Sequence, residues 1–438
     1  MHARLKLAGL EDHPLRERLN NEFHARLPIP LVSPLIVSHL VFKHDGLTAQ
    51  LERDHLTRLC QSSVCQSIES ADAHLMLDAG SFRMRWELHT EFSSYTFFRP
   101  LLSGEPRNLD ASALDAILPE WLAAIPGQLI VATHVELRSA EEISPESVSA
   151  GFSSTGRQMV AVQVADGAAW VCTDFMFDNG FSRFLVLDAS MTQRQAGRAG
   201  QRWVEIETYR LMALLGLPVA KEVGRWLSGA EKALAELMDH IGQARSPADE
   251  RSVLARLSTL AAEVEHSVAR TTFRFAAARA YHSLVMQRIE ELRERRISGC
   301  PTLNEFMQRR LLPAMDTCAA MARRQDDLSG RVARNSQLLR TRVDIELERQ
   351  NQELLSQMNN RAKLQLRLQE TVEGLSVIAI TYYGSQLVQY LAKGAKYWLT
   401  GLSPEIVTAM SIPLIGLLSL LGIKRMRKAL AQEADSGH

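Results

Sequence analysis

The stretch "FRMRWELHTEF" (82–92) carries Glu87, His89 and Glu91 two residues apart. On an extended strand, residues at i, i+2 and i+4 share one face. Two carboxylates around an imidazole form a donor set that suits a divalent metal. Arg83 and Arg85 fall on that same face and would oppose a cation. The pattern therefore reads as a solvated face of cross-strand charge pairs on a half-buried antiparallel strand. Phe82, Met84, Trp86, Leu88 and Phe92 would form its apolar face. A second pair, Glu22 and His24 in "NNEFHARLP", suits docking of an N-terminal helix or one wall of a pocket. No stretch matches a P-loop, G-x-G-x-x-G, H-E-x-x-H or G-x-S-x-G. "GFSSTG" (151–156) lacks the Lys and following helix of a phosphate cradle and reads as a loop. The expectation is a chain without catalytic residues, metal or cofactor, and not an enzyme.

The bulk composition narrows the class of partner. Lys+Arg and Asp+Glu balance at 50 each over 438 residues, so no global field points to nucleic acid. The Arg-rich run "RIEELRERRIS" (288–298) is countered by Glu290, Glu291 and Glu294 and reads as an ion-paired helix face. Cys60, Cys65, Cys172, Cys300 and Cys318 are odd in number and widely spaced, which suits a reducing compartment. The N-terminus lacks the apolar region of a signal peptide.

The elements that must position these residues change character near 190 and near 373. Residues 1–190 read as an α+β cytoplasmic domain with an antiparallel or mixed sheet. "PLIVSHLVF" (34–42) and "QLIVATHVEL" (128–137) are strands rich in β-branched residues. "TAQLERDHLTRLCQ" (48–61) has helical spacing, with Leu51, Leu56 and Leu59 as its apolar positions. Asp166-Gly167 and Asp178-Asn179-Gly180 supply hairpin turns. Residues 191–372 read as a helical, coiled-coil domain, with Pro218, Pro247, Pro301 and Pro313 marking helix boundaries. A helix over 331–392 would be on the order of 90 Å long at 1.5 Å per residue. Leu347, Leu354, Leu368 and Leu375 fall at seven-residue steps, interrupted by Arg361. That seam fits an intramolecular bundle and a self-associating stalk equally well.

Residues 373–428 read as a two-helix transmembrane hairpin with a basic end, and 429–438 as a polar tail. Gly374–Ala392 and Ile406–Ile423 are both free of charge, and a span needs about 20 apolar residues. The first carries Tyr382, Gln386 and Gln389 on one helical face, which would turn toward a partner inside the bilayer. Lys424, Arg425, Arg427 and Lys428 follow the second and would anchor it on the cytoplasmic side. The 393–405 connection, with Tyr397 and Trp398, would sit at the opposite interface.

"HPLRERLNNEFHARLPIP" (13–30), "RWELHTEFSSYTFF" (85–98) and "RAKLQLRLQETVEGLSVIAITYYGSQLVQYL" (361–391) resemble a bacterial family of uncharacterised membrane-anchored proteins, domain of unknown function 3422. The resemblance covers essentially the whole chain. It implies an inner-membrane protein whose large cytoplasmic part has no assigned activity. The order of parts is also similar to that of CorA-like divalent-cation channels. Their Gly-Met-Asn motif is missing, and Tyr383-Gly384-Ser385-Gln386 lies within the first apolar segment rather than at its exit. The expected function is a self-associating scaffold or sensor on the lipid bilayer. The alternative is a channel or transporter passing a divalent cation.

Overall fold

The computed structural model describes residues 13–17, 19–20, 28–44, 48–62, 66–71, 73–102, 111–143, 148, 159–243, 246–394 and 404–435. Glu22, His24, the loop at 151–156 and the connection at 395–403 lie outside them. By its internal contacts the chain forms two compact units. One comprises 1–243 with 255–336, and the other 244–254 with 337–438.

The first unit is built on one mixed sheet. Its strands are β1 (Leu35–Lys43), β2 (Gln66–Ala71), β3 (His74–Asp78), β4 (Arg83–Leu88), β5 (Phe92–Pro100), β6 (Gln128–Ser139), β7 (Val160–Val164), β8 (Ala169–Thr173), β9 (Phe177–Asp178), β10 (Phe181–Asp188) and β11 (Arg295–Arg296). They run in the order β11-β7-β8-β10-β6-β1-β5-β4-β3-β2, with β9 beside β10. The β10–β6 pair is parallel and the other pairs are antiparallel. The Asp166-Gly167 turn closes β7 onto β8 through three residues at positive φ, Ala165, Asp166 and Gly167. Asn179 and Gly180, at φ 49° and 84°, join β9 to β10, as a two-residue hairpin turn requires.

Helices cover both faces. On one face α1 (Thr48–Ser62), a 3-10 turn (Ala113–Ala116) and α2 (Pro119–Ala123) close a core of Ile36, Leu40, Leu56, Leu59, Met84, Trp86, Tyr95 and Phe97. Leu51, expected to join them, is exposed instead. The α1 carboxylate Glu52 sits inside this core, accepting from Trp86 Nε1 at 2.9 Å and Ser93 Oγ at 2.6 Å. Burial pushes its pKa above the ordinary carboxylate range. On the other face lie α3 (Gln193–Leu214) and part of α5 (Pro247–Glu291). There Val41, Phe92 and Val131 pack with Met212 and Tyr281, and Trp203 packs on Phe184. Gly197 lets α3 come close to the incoming chain, because a Cβ there would lie 1.9 Å from the Ile29 carbonyl oxygen. The helices α4 (Gly216–Gln243) and α6 (Leu303–Arg310) complete the described helices of this unit, with the first part of α7 (Leu312–Gly394). Pro218, Pro247 and Pro313 all fall in first turns, where the missing N–H costs no helical bond.

The stretch 82–92 is two strands, not one. β4 ends at Leu88, β5 begins at Phe92, and His89 N–H donates to the Phe92 carbonyl across the turn between them at 2.8 Å. The reversal puts Phe92 on the face of Arg85 and Glu87, opposite Met84 and Trp86. That polar face is also not solvated. Arg85 is 3% exposed, Glu87 7% and Glu91 9%, because the layer of α3 and α5 covers it with side chains of complementary charge.

The second unit contains the remainder of α7 and α8 (Pro404–Asp435). Leu339 is buried, and Arg342 pairs with Glu250 at 2.7 Å. From Asn351 to Glu370 every residue is exposed, Leu354 and Leu368 among them, so none of the described helices covers the leucine seam there. Near the end of α7, a Cβ on Gly384 would touch Ile415 of α8 at 3.0 Å, and one on Gly416 would touch Thr381 at 3.6 Å. Glu405–Met426 is long and apolar enough to cross a membrane, by length and composition, with a mean hydropathy of 2.2. It is the one helix among the described residues that meets that measure.

Candidate functional site

The polar face of β4 and its covering helices enclose a cavity of about 220 Å³. Strands supply His39, Arg85, Glu87 and Ser94, the β4–β5 turn supplies His89, α3 supplies Gln201, Glu205 and Thr208, and α5 supplies Arg288. The α3 residues recur at i, i+4 and i+7, so they share the helix face turned to the sheet. Arg274, Tyr281 and Arg288 recur every seven residues on α5, which likewise aligns them.

His39 hydrogen-bonds through both ring nitrogens, Nδ1 to Thr96 Oγ1 at 2.9 Å and Nε2 to Thr208 Oγ1 at 3.0 Å. Thr208 gives its single hydroxyl proton to the Val204 carbonyl at 2.7 Å. It must therefore accept from His39, which places the imidazole proton on Nε2 and makes Nδ1 the acceptor from Thr96. Burial, reinforced by Arg85, lowers the His39 pKa to about 3, so the ring is neutral.

Around it the charges pair between α5 and the β4–β5 turn and between α5 and α3. Arg274 grips Glu91 with two bonds, 2.9 and 3.1 Å, and Tyr281 donates to the same carboxylate at 3.0 Å. Burial and then the Glu91 charge push the Tyr281 phenol upward, so it stays a donor. Arg288 bonds Glu205 through Nε and Glu291 through Nη1 at 3.0 Å, and Arg202 holds the other oxygen of Glu291 at 3.0 Å. Buried pairs of this kind fix the alignment of the elements that carry them more surely than they add stability.

The structure thus brings Glu87 and His89 into one cavity and sends Glu91 to Arg274. Among the described residues no group of three or more His, Cys, Asp and Glu side chains is set to hold a metal ion. Gln201, Glu205, Arg274 and Tyr281 carry no motif in the sequence, and Arg288 stands out there only as the first residue of the Arg-rich run 288–298. The four- and seven-residue spacing of polar residues on α3 and α5 is the signal that points to them. Tyr382, Gln386 and Gln389 lie on the last turns of α7, with Tyr382 at 58% exposure and the two glutamines half-buried. They are set more than a quarter turn from the Thr381–Gly384 side that meets α8. Lys424 and Arg425 are exposed on α8; the side chains of Arg427 and Lys428 lie outside the described ones.

A family model described as a protein of unknown function, DUF3422, matches residues 11–430. The chain belongs to this family. No curated protein and no solved structure matches it. In this DUF3422 protein the match runs through the sheet, the cavity and the apolar helix Glu405–Met426.

Proposed function

We propose that this DUF3422 protein is a non-enzymatic, self-associating scaffold or sensor anchored in the bacterial inner membrane, with its bulk and its basic C-terminal end in the cytoplasm. The observation that carries this reading is the run from Asn351 to Glu370, a helix bare on all sides that carries seam leucines and leads toward the apolar helix. Exposed apolar residues at heptad spacing are stable in water only when another helix covers them. A second copy of the same helix supplies the matching spacing. The contacts of Gly384 with Ile415 and Thr381 with Gly416 support a hairpin in which residues 374–392 also cross, since small residues let membrane helices approach closely. Tyr382, Gln386 and Gln389, turned from α8, are then placed to meet the neighbouring copy.

Analytical ultracentrifugation of the detergent-solubilised full chain tests this. An oligomer is expected, reduced in size by Leu354→Glu with Leu368→Glu. A strictly monomeric wild type would overturn the proposal. Flux of Mg²⁺ through reconstituted protein, above that of empty vesicles, would replace it with the CorA-like reading, in which Gln386 and Gln389 line the path.

A further inference from the structure

Three of the arginines on the helices over this face, Arg210, Arg274 and Arg288, hydrogen-bond a carboxylate directly. Arg85 does not. It is 3% exposed, its Nε is buried without a hydrogen-bond partner among the described residues, and the Glu87 carboxylate stands 3.6 Å from that nitrogen. A buried guanidinium ordinarily finds an oxyanion in bidentate geometry, and burying its donors without one is costly. Across the same cavity, Gln201 Oε1 is buried without a donor. Its amide orientation is fixed, because Nε2 donates to Glu205 Oε1 at 2.7 Å and a flipped amide would set oxygen against oxygen. The cavity wall therefore carries a guanidinium donor lacking an acceptor and an amide acceptor lacking a donor.

Size and charge narrow what completes it. A volume of about 220 Å³ equals about seven waters at about 30 Å³ each, room for a molecule of about seven to ten non-hydrogen atoms because bonded atoms pack closer than waters, and is too small for a nucleotide. The charged arginine and glutamate residues lining it, Arg85, Arg288, Glu87 and Glu205, sum to zero. A phosphate dianion would meet two carboxylates, whereas a zwitterion leaves the balance unchanged. We propose that this cavity binds a small amino acid, its carboxylate on the Arg85 guanidinium and its ammonium on Gln201 Oε1 beside Glu205. The inference rests on the first unit alone and is independent of the membrane reading.

The test uses the detergent-solubilised full chain and isothermal titration calorimetry with the proteinogenic amino acids of up to ten non-hydrogen atoms, and with L-lactate and acetate as comparators. At least one amino acid is expected to bind at least about tenfold more tightly than lactate, the worth of one charge-assisted hydrogen bond. Arg85→Met is expected to weaken that amino acid at least about tenfold. Circular dichroism without ligand reads whether the variant is folded, since losing Arg85 also removes the positive charge 3.6 Å from the buried Glu87 carboxylate. Gln201→Leu, at a half-buried position, provides a second variant and is expected to lose most of the preference over lactate. Absence of binding by every amino acid in the panel, equal affinity for lactate, or unchanged affinity in either folded variant would overturn the proposal.

Discussion

His39 shows how far a single side chain can be specified by its neighbours. The one proton of Thr208 goes to a helix carbonyl, so the tautomer of the histidine follows. On the opposite face His134 stacks on Phe181 at 4.0 Å and bonds Ser38 Oγ through Nδ1 at 2.8 Å, and burial lowers it also to about 3. The unfolded chain takes up a proton at each ring near pH 6.5, and the folded chain does so only near 3. Each histidine thus contributes stability that is full above pH 6.5 and is lost as pH falls toward 3. Glu52, raised by burial, has the opposite sign, so the informative comparison is between variants. Between pH 7.5 and 5 the wild type should lose about 2 kcal/mol more than His39→Gln, read from denaturant titrations at the two pH values. Glu91→Gln breaks the two-bond grip of Arg274 and leaves that guanidinium buried, at a cost of about 3 kcal/mol by the same method. Part of this scale was legible in the sequence. Glu87, His89 and Glu91 stood out by type and spacing, but their partners come from residues up to about two hundred positions away, and local periodicity carries no record of such pairings.

At the scale of elements, the strands at 35–43 and 128–139, the helix at 48–62 and both glycine turns follow from alternation, helical spacing and turn chemistry. The run 82–92 misleads because its alternation passes unbroken through a tight reversal. Thr90 at the reversal is no turn marker, and Phe92 keeps the apolar pattern while changing face. Solvation of the face was misjudged for a related reason: charged residues suggest water unless a covering layer carries the complementary charges. Gly197 was silent in the sequence and decisive in the fold. Gly197→Ala should force the Ile29–Leu31 segment off α3, losing about 2 kcal/mol or more, with faster protease cleavage in that segment as the readout. Thr381→Cys combined with Gly416→Cys should form a disulfide on mild oxidation, since a Cβ at 416 would lie 3.6 Å from Thr381 Oγ1, the position a cysteine sulfur at 381 can take. Absence of that cross-link would contradict the packing of α8 against α7.

For the whole molecule, division by internal contacts separates a sheet-centred unit from one dominated by bare helix and the apolar segment. A chain ended after Ser336 should keep the strand content of the sheet and stay dispersed without detergent, as circular dichroism and sedimentation would show. The full chain should need detergent or lipid. The sequence pointed to the second apolar segment plainly, because 18 successive residues carry no charge. The first segment is harder to read. Its serines, glutamines and tyrosines lower its hydropathy, and its role depends on what lies beside it, which a single chain does not state.

The ion pairs that α5 makes with the β4–β5 turn and with α3 have a mechanical consequence. A slip of α5 by one turn, about 5.4 Å, would carry Arg274 away from Glu91 and Arg288 away from Glu205 together, breaking both pairs in one step and leaving Arg274 and Glu91 unpaired in a largely buried seam. Apolar layers shear gradually, exchanging one contact for another. Here intermediate positions are closed, so a pull along α5 should meet stiff resistance and then yield in a single event, as a latch does and a spring does not.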